Sequence, residues 1–222
     1  MNAVIFDMDG VIVDSEPRHE RAFLEVVREI GFEDHGLKFS DYLGRSDHEL
    51  WVDFVARNKP PVAFDQLMAM KRNRVVSIIR KEKPLFAGLL DLLRNISKDF
   101  RLGLASGSER AVIEEVLEID QLRGFFSAVV SASEVSRGKP APDIFLRAAQ
   151  LLGVKPEKCW VIEDSKPGVA AGLAAGMSVI AITNTHPANE LGHATHVVST
   201  YEEVERLLTG VRNTSATALP SA

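Results

Sequence analysis

The sequence predicts an α/β protein with a Rossmann-like, mostly parallel sheet core and an inserted α-helical cap domain. Three observations carry that prediction. From Leu85 onward, short apolar segments of strand character alternate with helical patterns. Between Glu16 and Glu82 the apolar residues recur only at helical spacing. Four strand ends carry clustered polar residues, as expected at the carboxyl edge of a parallel sheet.

Val4–Phe6 reads as the first strand and stops at Asp7 and Asp9, followed by Gly10. A strand interior seldom carries two acids. A strand end at a ligand crevice can, when a cation or a proton offsets their repulsion. Carboxylate oxygens of this kind suit a hard cation such as Mg²⁺. A calcium-binding EF-hand loop does not fit: counted from Asp7, its sixth and twelfth places would need Gly and Glu, and they hold Ile12 and Arg18.

The helical stretch follows, with Phe23, Val26, Val27 and Ile30, then Leu50 and Phe54, then Leu67, Met68 and Met70 as its apolar positions, interrupted by Pro60-Pro61. Beyond it, Leu89–Ile96 is predicted helical, Leu102–Ala105 a strand ending at Ser106-Gly107-Ser108, and Glu109–Ile119 a helix. Ala128–Ser131 is a short strand, and Pro142–Leu152 a helix with proline in its first turn. Trp160–Ile162 is a strand ending at Glu163-Asp164, and Pro167–Ala175 a helix stopped by Gly176. Ser178–Ile182 and His196–Val198 are strands, and Tyr201–Leu208 closes the pattern as a helix. Residues 1–14 and 86–209 are thus expected to form the core and 15–85 the cap inserted after strand one. Residues 210–222 are small, polar and aperiodic and are expected to form a flexible tail. The hinges of the cap are expected at Asp14–Pro17 and Lys83–Gly88.

Bulk properties exclude several classes. A net charge of −5 and a pI near 5.7 argue against general nucleic-acid binding. No apolar run is long enough to span a bilayer, and the chain enters strand one without a basic leader, so neither a membrane nor a secretory role is expected. The single cysteine, Cys159, sits in an apolar run and reads as a packed thiol. A cytoplasmic setting and a monomer are the expectations.

The polar strand ends suit phosphoryl transfer, which needs an in-line nucleophile, neutralisation of the phosphoryl oxygens and a proton donor for the leaving oxygen. A carboxylate can be that nucleophile. Glu163 and Asp164 supply further oxygens for a metal, Lys139 a compact positive charge, and Ser106, Gly107 and Ser108 hydrogen-bond donors for the phosphate.

Asp7-Met8-Asp9-Gly10-Val11, Ala105-Ser106-Gly107-Ser108, Lys139-Pro140-Ala141-Pro142-Asp143 and Ile162-Glu163-Asp164-Ser165 resemble, in order, the four motifs of the haloacid dehalogenase-like hydrolase superfamily. The resemblance covers all but about the last dozen residues and is closest to the β-phosphoglucomutase-like and sugar-phosphatase branch, which carries a helical cap after strand one. It implies Asp7 as nucleophile and Asp9 as general acid/base, with Mg²⁺ held by Asp7, the backbone carbonyl of Asp9, Glu163 and Asp164. Ser106 and Lys139 would hold the transferring group.

In the cap, Ser15 and His19 fall where the mutase branch has a hydroxyl and a histidine. Leu43-Gly44-Arg45-Ser46-Asp47 resembles the cap's specificity loop, but mutases put basic residues where this chain has Leu43 and Asp47; Arg45 is basic and shifted. Lys71 is expected to face the pocket, whereas Arg72 and Arg74 read as a solvated helix face. The resulting expectation is a Mg²⁺-dependent phosphatase acting on a small phosphorylated metabolite, a sugar phosphate, through an aspartyl-phosphate. A phosphomutase is the alternative, and a non-catalytic metabolite-binding protein on the same scaffold the remote one.

Overall fold

The computed structural model describes residues 2–42 and 47–216, with the side chains of Ser40 and of residues 211–216 left out. Six parallel strands form one sheet: β1 Asn2–Phe6, β2 Phe100–Ser106, β3 Phe126–Ser131, β4 Cys159–Glu163, β5 Ser178–Ile182 and β6 His196–Val198, in the order β3-β2-β1-β4-β5-β6. Strand β1 is central and covered on both faces, which is why its sequence is continuously apolar rather than alternating. Val4 and Phe6 pack into one hydrophobic core and Ala3 and Ile5 into the other, as the strand's period of two requires. Helices α4 (Leu89–Ile96), α5 (Arg110–Glu118) and α8 (Tyr201–Ala216) cover the first face; α6 (Asp143–Leu152) and α7 (Lys166–Ala174) cover the second. Helix α8 runs past Leu208, where the apolar periodicity fades, to Ala216.

Between β1 and β2 the chain forms helices α1 (Glu16–Glu29), α2 (Asp47–Asn58) and α3 (Phe64–Glu82), with a short 3₁₀ turn at Phe39–Tyr42. This cap has a small core of its own: Phe23, Val26, Val27, Leu50, Trp51, Phe54 and Leu67. Phe23, Trp51 and Phe54 meet in tilted or edge-to-face pairs with ring centroids 5.0–6.0 Å apart. The two connections to the core run antiparallel side by side, through a Val13–Leu85 bridge and an N–H of Asp14 donating to the Pro84 carbonyl at 2.9 Å. Pro17 lies inside the first turn of α1, where its missing N–H has no helical partner to lose. Among the described residues no helix is long and apolar enough to cross a membrane.

Because β1 connects to β2 on one side and neighbours β4 on the other, a crevice opens beyond its carboxyl end. The turn leaving β1 is fixed there from the far end of the chain. Tyr201 Oη donates to the Val11 carbonyl at 2.5 Å, and Asn184 Nδ2 donates to the Gly10 carbonyl at 2.8 Å. Replacing Tyr201 with Phe orphans a buried carbonyl and is expected to cost about 1–3 kcal/mol. Thermal unfolding checks this, with a melting temperature lower by about 4 °C expected.

Candidate active site

Gly10 begins the geometry. Its φ is +76°, a conformation L-residues disfavour, and a Cβ there would lie 1.9 Å from Asp164 Oδ2. The bare glycine therefore lets the β1 turn close directly onto the end of β4. Asp7 and Asp164, from two adjacent strands, come together with Glu163 so that one carboxylate oxygen of each lies within 4.8 Å of the others. All three are buried.

Glu163, fully buried, is oriented by its own loop. Oε2 accepts from the N–H groups of Asp164 and Ser165 and from Ser165 Oγ, each at 2.9 Å. Ser165 caps α7 by accepting from the Gly168 N–H at 3.2 Å. A Cβ on Gly168 would fall 1.7 Å from Glu163 Oε1, so the first turn of α7 leaves room only for hydrogen there. This leaves Oε1 as the oxygen facing the site. Lys139 Nζ donates to it at 2.5 Å and to Asp7 Oδ1 at 2.7 Å. The loop that delivers Lys139 is tied at its base by a two-point Arg137–Asp143 ion pair.

One lysine faces three buried carboxylates, and the electrostatics show the imbalance. Burial, with Glu163 and Asp9 adding to it and Lys139 opposing, pushes the Asp7 carboxyl up to about 7. Burial and the neighbouring Glu163 and Asp7 raise Asp164 well above the carboxylate range. Burial disfavours the Lys139 ammonium, but Asp7 and Glu163 outweigh it and hold the charge firmly. A group of oxygen donors with excess negative charge, packed this closely, fits a hard divalent cation.

A stability test follows. In the unfolded chain these carboxyls ionise near pH 4, whereas in the fold Asp7 keeps its proton to about pH 7. The folded state therefore binds more protons in that window, and the metal-free protein loses stability as pH rises through it. With a chelator present, the melting temperature is expected to fall by about 3 °C or more between about pH 5 and about pH 7.5. Millimolar Mg²⁺ is expected to reverse the fall at the upper pH; a metal-free melting temperature flat across this range would contradict it. Asp47, held far below its ordinary range, contributes equally at both pH values.

Asp9 turns the other way, toward the cap and the end of β2. Oδ1 accepts from Ser15 Oγ at 2.6 Å, and Oδ2 accepts from Ser108 Oγ at 2.7 Å and from Ser106 Oγ at 3.3 Å. His19 Nε2 is buried, has no hydrogen-bond partner among the described residues and lies 3.8 Å from Asp9 Oδ1. Behind the imidazole, Nδ1 is 3.2 Å from Lys71 Nζ, which also meets the Asp47 carboxylate. Burial would raise the Asp47 carboxyl, but the nearby His19 ring, with Nδ1 3.7 Å away, and the Lys71 charge outweigh it and hold the carboxyl far below its ordinary range.

The structure thus brings together Asp7, Asp9, Ser15, His19, Ser106, Ser108, Lys139, Glu163 and Asp164. A cavity of 430 Å³ opens over them between core and cap, and Gly107 lines its wall. Arg45 lies outside the described residues. Lys71 is 1% exposed and is spent on Asp47 and His19 instead of lining the cavity. Arg74 pairs with Glu25 and Glu29 on the cap surface. Arg72, read from the sequence as solvated, instead lines the cavity and bridges to Glu109 of the core at 2.7 Å. Helical spacing could not show this, because the partner lies on the other domain.

Sequence reasoning also missed the loop after β5. Thr185 Oγ1 donates to Asp164, and His186 Nδ1 lies 2.9 Å from the same hydroxyl. Asn184-Thr185-His186 follows a strand end on the same sheet edge, so the rule that found the other four ends applied here too.

Fold and site together define a capped α/β protein with an acid–lysine centre at its sheet edge. The model of the haloacid dehalogenase-like hydrolase family matches residues 1–176, and the chain belongs to that family. It is 34% identical over 178 residues to the fructose-1-phosphate phosphatase of Escherichia coli (strain K12), covering 80% of this chain and 94% of that protein. It is 32% identical over 197 residues to the β-phosphoglucomutase of Bacillus subtilis (strain 168), covering 84% and 85%. In fold it is similar to the crystal structure of β-phosphoglucomutase from Clostridium difficile, with a TM-score of 0.80 at 24% identity, covering 99% of this chain and 100% of that one.

Proposed function

We propose that the protein is a Mg²⁺-dependent phosphatase that hydrolyses a small phosphorylated metabolite, a sugar phosphate, through an aspartyl-phosphate intermediate. The observation that carries this reading is the division of labour between the two aspartates of one turn. Asp7 sits in the carboxylate–lysine cluster, while Asp9 sits among hydroxyls on the cap side. A carboxylate oxygen of Asp7 attacks phosphorus as the bond to the leaving oxygen breaks. Asp9 gives that oxygen a proton, then removes one from the water that attacks phosphorus and frees Asp7. Ser15 and Ser108 hold the two Asp9 oxygens in place. Lys139, beside Asp7, balances charge on the transferring group. Asp7, Glu163, Asp164 and the backbone carbonyl of Asp9 would hold the Mg²⁺, which supplies charge neutralisation between carboxylate and phosphate.

The helices between β1 and β2 support the reading by lining one side of the cavity, where closing further over a bound substrate would keep bulk water from the reaction. The fructose-1-phosphate phosphatase relative supports a sugar-phosphate substrate. The test is phosphorus NMR of the protein with Mg²⁺ and a panel of sugar phosphates. Growth of inorganic phosphate from one ester is expected; no release from any ester would overturn the reading. Ser15 and His19 beside Asp9 favour a second reading, a phosphomutase, because they could steer a sugar hydroxyl in place of water. With a trace of bisphosphate primer, that reading expects 1-phosphate to become 6-phosphate with little free phosphate.

A further inference from the structure

Two charge pairs border the cavity. Arg72, on α3 of the cap, reaches across to Glu109, which follows Ser108 directly and caps α5 of the core. Both side chains line the cavity, with 34% and 44% of their surfaces exposed. Asp47 also lines the cavity and neutralises Lys71. Lys71 and Arg72, both on α3, are therefore committed to carboxylates, and where Arg72 and Glu109 line the cavity its surface shows an acceptor beside a donor.

Such a wall matches a neutral polyhydroxy group, whose O–H groups can donate to a carboxylate and accept from a guanidinium. It opposes a second phosphate, which would meet the Glu109 and Asp47 carboxylates as well as cations already paired with them. Resting on the phosphatase reading above, we propose that the Arg72–Glu109 bridge is a specificity-determining pair. It selects esters whose leaving group is an uncharged polyol or sugar and rejects those bearing a second phosphate. As a partly exposed ion pair it adds little stability, so discrimination is its main effect.

The test compares kcat/KM for fructose 1-phosphate and fructose 1,6-bisphosphate in the wild type, Glu109→Gln and Arg72→Met. Glu109→Gln frees the guanidinium and is expected to raise the bisphosphate-to-monophosphate ratio about tenfold. Arg72→Met leaves the carboxylate unopposed and is expected to lower that ratio by a similar factor. A bridge that merely latches the cap shut would change both substrates alike in both variants. Ratios that stay within about twofold of wild type, or that move in the same direction in both variants, would overturn the inference while leaving the phosphatase reading intact. If the wild type releases phosphate from neither substrate nor from any other ester, the phosphatase reading falls and this inference falls with it.

Discussion

Replacing Asp7 with Asn is expected to reduce phosphate release by at least about 10⁴-fold, because the amide keeps the shape of the side chain but cannot attack phosphorus. The same variant is expected to melt at or above the wild-type temperature in chelator at about pH 7.5. It removes one of three buried carboxylates sharing a single lysine, at a pH where the wild-type Asp7 is losing its proton. Lys139 keeps Glu163 as its partner, so no buried cation is orphaned. Opposite signs for rate and stability are the signature of a group placed for chemistry against the interest of the fold. If the variant keeps its rate, the nucleophile is not Asp7, and a water activated by Asp9 becomes the simplest alternative. Phosphorus NMR separates the two, since only the Asp7 route passes through a phosphorylated protein.

Replacing Lys139 with Met is expected to damage rate and stability together. Among the described residues its ammonium is the one positive group in direct contact with both Asp7 and Glu163. Breaking a buried ion pair from one side costs about 3–5 kcal/mol. That corresponds to a melting temperature about 10 °C lower in a chain of this size. The loss should deepen as pH rises, because the remaining carboxyls then ionise without a partner. Mg²⁺ should recover part of the stability by taking over some of the neutralisation. The rate should stay down about 10²–10³-fold, since the charge beside the transferring phosphoryl group is still missing. Lys139→Arg is the control: it keeps a charge but cannot place it on both carboxylates in the same compact way, so it should rescue stability more than rate. A Lys139→Met protein as stable as wild type at about pH 7.5 would show that the cluster is neutralised by protons and does not depend on the lysine.

These two expectations rest on residues readable without coordinates. Asp7 and Glu163-Asp164 stand at the ends of apolar strands and Lys139 in a loop beyond another; each alone reads as turn chemistry, and it is their coincidence at one sheet edge that announces a site. The helical stretch between strands one and two was legible for a similar reason. Its apolar spacing changes at Glu16 and again after Glu82, which are the first residue of α1 and the last of α3. Arg72 shows where such reasoning stops. On its own helix it occupies a polar position, and nothing in the local pattern says that a carboxylate 37 residues onward will meet it across the domain boundary. Asp47 was visible only as a departure from the mutase pattern; the fold turns it into the counter-charge that removes Lys71 from the cavity.

The sequence by itself therefore determined the parallel sheet, the helical segment between its first two strands and the chemical inventory of the strand ends. Periodicity and turn chemistry act over a few residues and are written locally. The tertiary structure alone decided which inventory members share a site and which charges cancel. It turned Asp9 toward Ser15 and Ser108, seated Thr185 on Asp164 and closed Arg72 onto Glu109. Those outcomes depend on distances between segments far apart in the chain, set by the packing of two domains around the edge of one sheet.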